Sequence, residues 1–388
     1  MKYLPVTKAL IVMSIICLAS CSEDEVSHLR PSIDYSLATA ETPYSELFVD
    51  ANGNTTVDLS EGNSRHKMFQ ALNYYSTSSV SANARIDAAK LKNMFSNTGN
   101  PFTDISTSTI SVVGADLNAS DVQLKDIVAS SKSSSEADEV RAELESLFDQ
   151  IDAASNSVNV TASQGVAGKL GTYLVDAKGI EIAQIIQKSL IGALQLDYIS
   201  NILLDGGLTA DNHSVVGDNN YTQLEHNWDE AYGLLTLNPI YLAGSTNDTR
   251  GTVEFGAGSY IWEYNKANYA KIYPAFLKGR VAIVNNDKAE YQAQATFIRT
   301  EFEKALAGAA LGYLDKWKSG ATDAARAHAI GEGLGFIYSL RFATIHGGDA
   351  AFSDGIINGL IDSPNGFWDL TSTKVNTASD AIKAKFGL

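Results

Sequence analysis

The chain has 388 residues, a formal charge of −16 and only two cysteines. Such an acidic surface repels nucleic acid and anionic lipid head groups, and two cysteines cannot staple a disulfide-built scaffold. No phosphate-cradling glycine loop and no dinucleotide fingerprint occurs, because Gly331-x-Gly333-x-Gly335 follows no strand; a nucleotide cofactor is excluded with them.

Residues 1–20 have the layout of a secretion signal. Lys2 and Lys8 precede the apolar run Ala9 to Leu18, and the segment ends in Leu18-Ala19-Ser20-Cys21. The run is too short to cross a bilayer core of ~30 Å as a helix. Its ending matches a bacterial lipobox, which predicts removal of residues 1–20, Cys17 included, and acylation of Cys21. The expected partner is therefore a lipid bilayer, reached through Cys21 without a spanning helix. Ser22-Glu23-Asp24-Glu25 resembles an acidic export tag of outer-membrane lipoproteins and reads equally well as a solvated linker. Residues 21–43, polar and aperiodic with Pro31 and Pro43, are read as an acidic flexible tether. The location expected is the outer membrane, lipid-anchored on its periplasmic or cell-surface face.

Residues 44–388 are long enough for a large core or two packed lobes. Asn52-Gly53 between short apolar groups predicts a hairpin turn. Asp50, Asn52, Asn54, Asp58 and Glu61 also fall at calcium-loop spacing, but Thr55 stands at the position that needs glycine and no helix precedes it. From Arg65 onward helical spacing dominates, with helices predicted at 86–95, 122–129, 137–151, 177–204, 221–238, 260–277, 288–317, 323–344, 353–361 and 378–386. Strand alternation is nearly absent, so an all-α fold is expected. Within 177–204, Glu181, Gln184, Lys188 and Gln195 form a polar stripe among isoleucines and leucines. The three glycines near His328 each weaken a helix by ~1 kcal/mol relative to alanine, which predicts close approach of another backbone.

Chemistry concentrates in two His-x-x-x-Glu pairs, His226 with Glu230 and His328 with Glu332. Both lie in predicted helices, where a spacing of four stacks the side chains on one face. Asp229 joins the first pair, giving one imidazole and two carboxylates beside the apolar stripe Trp228, Ala231, Tyr232 and Leu235. The expected metal ligands are His226, Asp229, Glu230, His328 and Glu332 in one shared site, with Glu181, Gln184 and Lys188 behind them. Imidazole plus carboxylate suits iron, manganese or zinc, and the lack of a mature thiol argues against a closed structural zinc site. His346 and Asp349, separated by two glycines, are read as a helix end. No Gly-x-Ser-x-Gly and no His-Glu-x-x-His occurs, so nucleophilic catalysis finds no support.

Three phrases carry a resemblance: Tyr173-Leu174-Val175-Asp176-Ala177 with Gly179-Ile180-Glu181; Glu225-His226-Asn227-Trp228-Asp229-Glu230-Ala231-Tyr232-Gly233; and Ala327-His328-Ala329 through Glu332 to Tyr338-Ser339-Leu340. Together with the Asn52-Gly53 turn and the C-terminal helix, the chain from Tyr44 onward resembles an uncharacterised family of imelysin-related bacterial lipoproteins. The resemblance implies two packed four-helix-bundle-like lobes, here 44–210 and 211–388, with a short N-terminal β-hairpin and the functional face between the lobes. It also implies a link to metal and iron uptake, with uptake proteins as partners. Imelysins carry Gly-x-His-x-x-Glu; here Leu224 replaces the glycine, Asp229 the glutamate, and Glu230 follows one place later.

Three functions compete. The leading one is a surface-tethered protein that binds an iron-type divalent cation. The second makes the polar cluster a structural network within a lipoprotein that binds a partner or glycan elsewhere. The third is a metallopeptidase whose metal activates water, with Glu230 or Glu332 as general base; the sequence fixes no other catalytic residue.

Overall fold

Helical periodicity governs the computed structural model, which describes residues 29–235, 242–249 and 255–388. The signal segment and Cys21 lie outside the described residues. With 61% of residues helical and 5% in strands, the fold is all-α.

The first half contains α1 (Tyr44–Leu47), α2 (Ser60–Ser81), α3 (Ala88–Ser96), α4 (Gly114–Ala119) and α5 (Ser134–Ser155). Helix α6 (Ile182–Leu190) runs on into a π-helix at Ile191–Leu203. The second half adds α7 (Gln223–Leu235), α8 (Ala257–Tyr264), α9 (Tyr269–Val284), α10 (Lys288–Ser319), α11 (Asp323–Ser339), α12 (Ala350–Ile361) and α13 (Ser372–Phe386). Several starts are chemically marked. Ser133 and Glu136 form a capping box on α5, and Asp287, Thr322 and Thr371 cap α10, α11 and α13. Asp349 accepts from Phe352 N at the start of α12, so the segment after His346 is a helix boundary as expected.

Three expectations need correction. Residues 122–129 form turns rather than a helix: Ala129, buried and at φ +55°, donates its amide at 2.9 Å to the carbonyl of Ala193 in the π-helix. The single helix predicted at 260–277 is two, α8 and α9, because Asn265 leaves the helical path to bond the Glu301 carbonyl and carboxylate from between them. The tether expected at 21–43 is docked in its described part. Arg30 pairs with Glu225, Ile33 bonds Asn285 through both backbone groups, and the Tyr35 hydroxyl donates to Asp287 at 2.9 Å.

The Asn52-Gly53 turn exists, with Gly53 at φ +83°, but it closes only one bridge, Val49 with Thr55. Two other antiparallel hairpins, β1–β2 (Ile105–Ser106, Ser111–Val112) and β3–β4 (Gly168–Leu170, Tyr173–Val175), are too short to leave an alternating pattern in sequence.

Packing crosses residue 210. Helix α2 lies along α7 and α6 along α11, while the long α10 supports α8, α9, α11 and α13. The buried apolar residues of both halves form one cluster. Two of the three α11 glycines serve as expected: a Cβ at Gly331 would sit 3.2 Å from the Glu181 carbonyl, and one at Gly335 3.0 Å from the Ile185 carbonyl and 2.6 Å from the Lys188 Cβ, whereas one at Gly333 would meet only side chains at 3.6 Å or more. Two helices can touch at that distance only where one has no side chain.

Candidate functional site

Helix α7 is buried on nearly every side, since Trp228, Ala231, Leu234 and Leu235 are all inaccessible and the Trp228 Nε1 donates to the Phe276 carbonyl at 2.9 Å. Its acids are therefore buried too, and a buried carboxylate needs partners. Each has its own. Glu225 is held by Arg30 and by Arg280 Nη1 at 2.8 Å. Asp229 accepts Arg280 Nε at 3.0 Å and the Tyr44 hydroxyl at 2.7 Å. Glu230 accepts Arg65, with the Tyr198 hydroxyl at 3.4 Å from its other oxygen.

These settings give the acids different proton affinities. Burial pushes Asp229 up to about 6 against the pull of Arg280. Burial also pushes Glu230 up to about 7, and the nearby Glu61 and Asp58 add to the rise while Arg65 opposes it. Glu225 goes the other way: burial raises it, but Arg280 and Arg30 together leave it below the usual glutamate value.

His226 departs from this buried row. Its ring stacks on Tyr221 at 4.7 Å, and its Nδ1 is buried with no hydrogen-bond partner. One ligand atom each from Glu61, His226 and Glu230 lies within 4.8 Å of the others, and these form the one such three-residue group among the described residues. Asp58 stands close enough to act on both His226 and Glu230. Burial pushes Asp58 up, yet hydrogen bonds from Ser60 outweigh it and leave this acid below its ordinary value.

The second histidine builds a separate cluster between α6 and α11. His328 Nδ1 lies 2.7 Å from Glu181, and Nε2 lies 3.6 Å from Glu332, whose other oxygen takes Lys188 at 2.9 Å. Tyr173 stacks on the imidazole at 4.1 Å, and Lys188 lies over the Tyr260 ring. Burial lowers Lys188 despite Glu332 beside it. His328 is raised, because bonding to Glu181 outweighs burial.

The five expected ligands are thus divided. His226 and Glu230 are together; Asp229 is turned away and spent on Arg280 and Tyr44; His328 and Glu332 do not join the group around His226. Glu181 and Lys188 contact His328 and Glu332 directly rather than from behind, with Gln184 Nε2 3.5 Å from Glu181. Sequence reasoning missed the arginines. Arg280 was visible, with Lys278, as one of two cations in the otherwise apolar run Phe276 to Val284, and Arg65 follows Glu61 at helical spacing. Glu61 itself was noted only for calcium-loop spacing. That loop is closed on itself, since the Asp50 carboxylate accepts from the Asn52 and Asn54 amides.

Among the described residues no helix is long and apolar enough to cross a membrane. No curated protein and no solved structure matches the chain. Residues 44–388 match the family described as "Domain of unknown function (DUF4856)", and the chain belongs to that family.

Proposed function

We propose that this chain is an outer-membrane lipoprotein, anchored through Cys21, that takes a divalent cation at Glu61, His226 and Glu230 and serves metal uptake in the manner of the imelysin-type proteins it resembles. The observation that carries the reading is the convergence of those three ligand atoms within 4.8 Å beside a buried, partnerless imidazole nitrogen. A buried polar atom without a partner calls for a water or an ion.

Charge argues the same way. Glu61 and Glu230 share the one arginine Arg65 and Asp58 acts on Glu230 from nearby, so once Glu230 is ionised and the imidazole neutral the set carries a surplus of two negative charges. A divalent cation neutralises that surplus. Carboxylate and imidazole donors without thiolate suit iron, manganese or zinc. Arg65, 3.1 Å from Glu61, would stay as an outer partner of the carboxylates, orienting them as hydrogen-bonded groups around metal ligands do.

The test is metal analysis of the chain purified without chelator, repeated on His226→Ala and Glu61→Gln. Bound cation in the parent and its loss in both variants supports the reading; a parent that takes up none at micromolar supply ends it. The Arg65–Glu230 pair favours a second reading, a structural network that fixes α2 on α7 while binding of a partner or glycan occurs elsewhere. On that reading Glu61→Gln changes stability and no cation is found. Metallopeptidase chemistry, with Glu230 as base, would need turnover of a peptide that Glu230→Gln abolishes.

A further inference from the structure

Helices α5 and α12 flank a groove of about 420 Å³ floored by α6 and α11, and none of its lining residues belongs to the proposed cation site. Its walls repeat at helical spacing: Leu147 and Gln150 follow Glu143 on α5, and Ile357 and Ile361 follow Asp354 on α12. Each wall therefore presents one face over two turns, about 10 Å of helix. Ile180, Ile182 and Leu334 are buried beneath, while Leu147, Ile185, Ile357 and Ile361 are only partly covered. Four half-open aliphatic side chains on one groove make a patch of the kind that marks an interaction surface.

Backbone chemistry limits what can cover it. The helices of walls and floor pair their own N–H and C=O groups. The turn that closes one end is satisfied too, since Asp176 accepts the Lys178 and Ile180 amides at 2.9 Å and donates its own amide to the Ile180 carbonyl. No strand edge is offered, so a covering chain must satisfy its own backbone, which a helix does. Spread over about 10 Å, the 420 Å³ leave a cross-section of about 40 Å², less than a whole helix about 10 Å across would fill. The occupant thus lies over the groove and inserts side chains.

Charge sets its flanks. Glu143 accepts the Tyr338 hydroxyl at 2.6 Å and shares the Arg341 guanidinium with Asp354. Lys178, the one lysine or arginine in the lining, is answered by Asp176. Glu139, one turn before Glu143, and Asp362, next to Ile361, are exposed and enter no ion pair. Five acids against Arg341 and Lys178 leave the groove and its ends with a formal surplus of three negative charges. We propose that this groove receives an amphipathic helix of a partner protein, whose apolar side chains at i, i+3 or i+4 and i+7 enter between α5 and α12 and whose flanks carry lysine or arginine.

The probe is a capped peptide of two leucine–lysine heptads, titrated calorimetrically into the full chain beside two relatives, one with glutamate for every lysine and one with alanine for every leucine. The leucine–lysine peptide should bind one to one, the glutamate form at least about tenfold more weakly, and the alanine form without saturation. Ser146→Trp sets an indole in the groove from an exposed position of α5, keeps the net charge and the melting temperature, and should weaken the leucine–lysine peptide at least about tenfold. Gln150→Trp, one turn on, repeats that test. Glu139→Gln combined with Asp362→Asn should weaken binding and flatten its salt dependence. Equal binding of the alanine or glutamate form, affinity unchanged in both tryptophan variants, or no saturable binding at all would each overturn the assignment.

Discussion

Arg280 and Asp229 form an ion pair with no exposed surface on either side chain, Nε to Oδ1 at 3.0 Å. The same guanidinium reaches Glu225 and the Thr56 hydroxyl, so one cation from α9 pairs with two acids of α7 and fastens the chain entering α2. This pairing removes Asp229 from the face that holds His226.

Replacing Arg280 by methionine keeps much of the volume and deletes the charge. Two carboxylates are then buried with only Arg30, the Thr222 amide and Tyr44 to meet them, and breaking a buried pair from one side costs about 3–5 kcal/mol. Urea unfolding at neutral pH should show a loss of that size. Tyr44→Phe removes one hydrogen bond to the same carboxylate, 2.7 Å long, and should cost about 1.5–3 kcal/mol.

Cation affinity should rise with pH. Glu230 holds its proton up to about 7, so below that value an incoming cation must displace it, whereas above it the carboxylate is already ionised. Calorimetric titration at pH 6 and pH 8 should give the tighter binding at pH 8; equal affinities would remove Glu230 from the ligand set.

His328 should make stability depend on pH in the opposite sense to an ordinary paired acid. Its folded-state pKa lies above the ordinary histidine value of 6.5, so its bonding to Glu181 stabilises fully below 6.5 and is lost as the pH rises through the folded value. The difference in melting temperature between the parent and His328→Gln should therefore be largest in mild acid and shrink toward alkaline pH. A difference that grows with pH would contradict the pairing.

The α11 glycines differ in what they tolerate. Gly335→Ala drives a methyl to 2.6 Å from the Lys188 Cβ and 3.0 Å from the Ile185 carbonyl, so α6 and α11 must separate and the protein should lose stability. Gly333→Ala meets nothing closer than 3.6 Å and should gain up to ~1 kcal/mol from helix propensity. Thermal melts of the two variants should move in opposite directions.

Local rules were enough to read the helical class, most helix positions and the glycine-permitted contact of α11. Each depends on spacing along one element, which sequence displays directly: an i to i+4 interval fixes a shared face, and glycine fixes where a backbone can come near. Which acids meet which cations did not follow, because Arg30, Arg65 and Arg280 reach α7 from three distant segments, and nothing in the spacing of α7 distinguishes the neutralised Asp229 from Glu230 one residue later. Only the packing of α2 and α9 on that helix settled it. The same holds for the two histidines, whose identical spacing suggested one site, while α6 and α2 claimed them separately. A side chain's neighbours across the core are set by the docking of whole helices, and that docking is a sum over many apolar contacts that no single motif records.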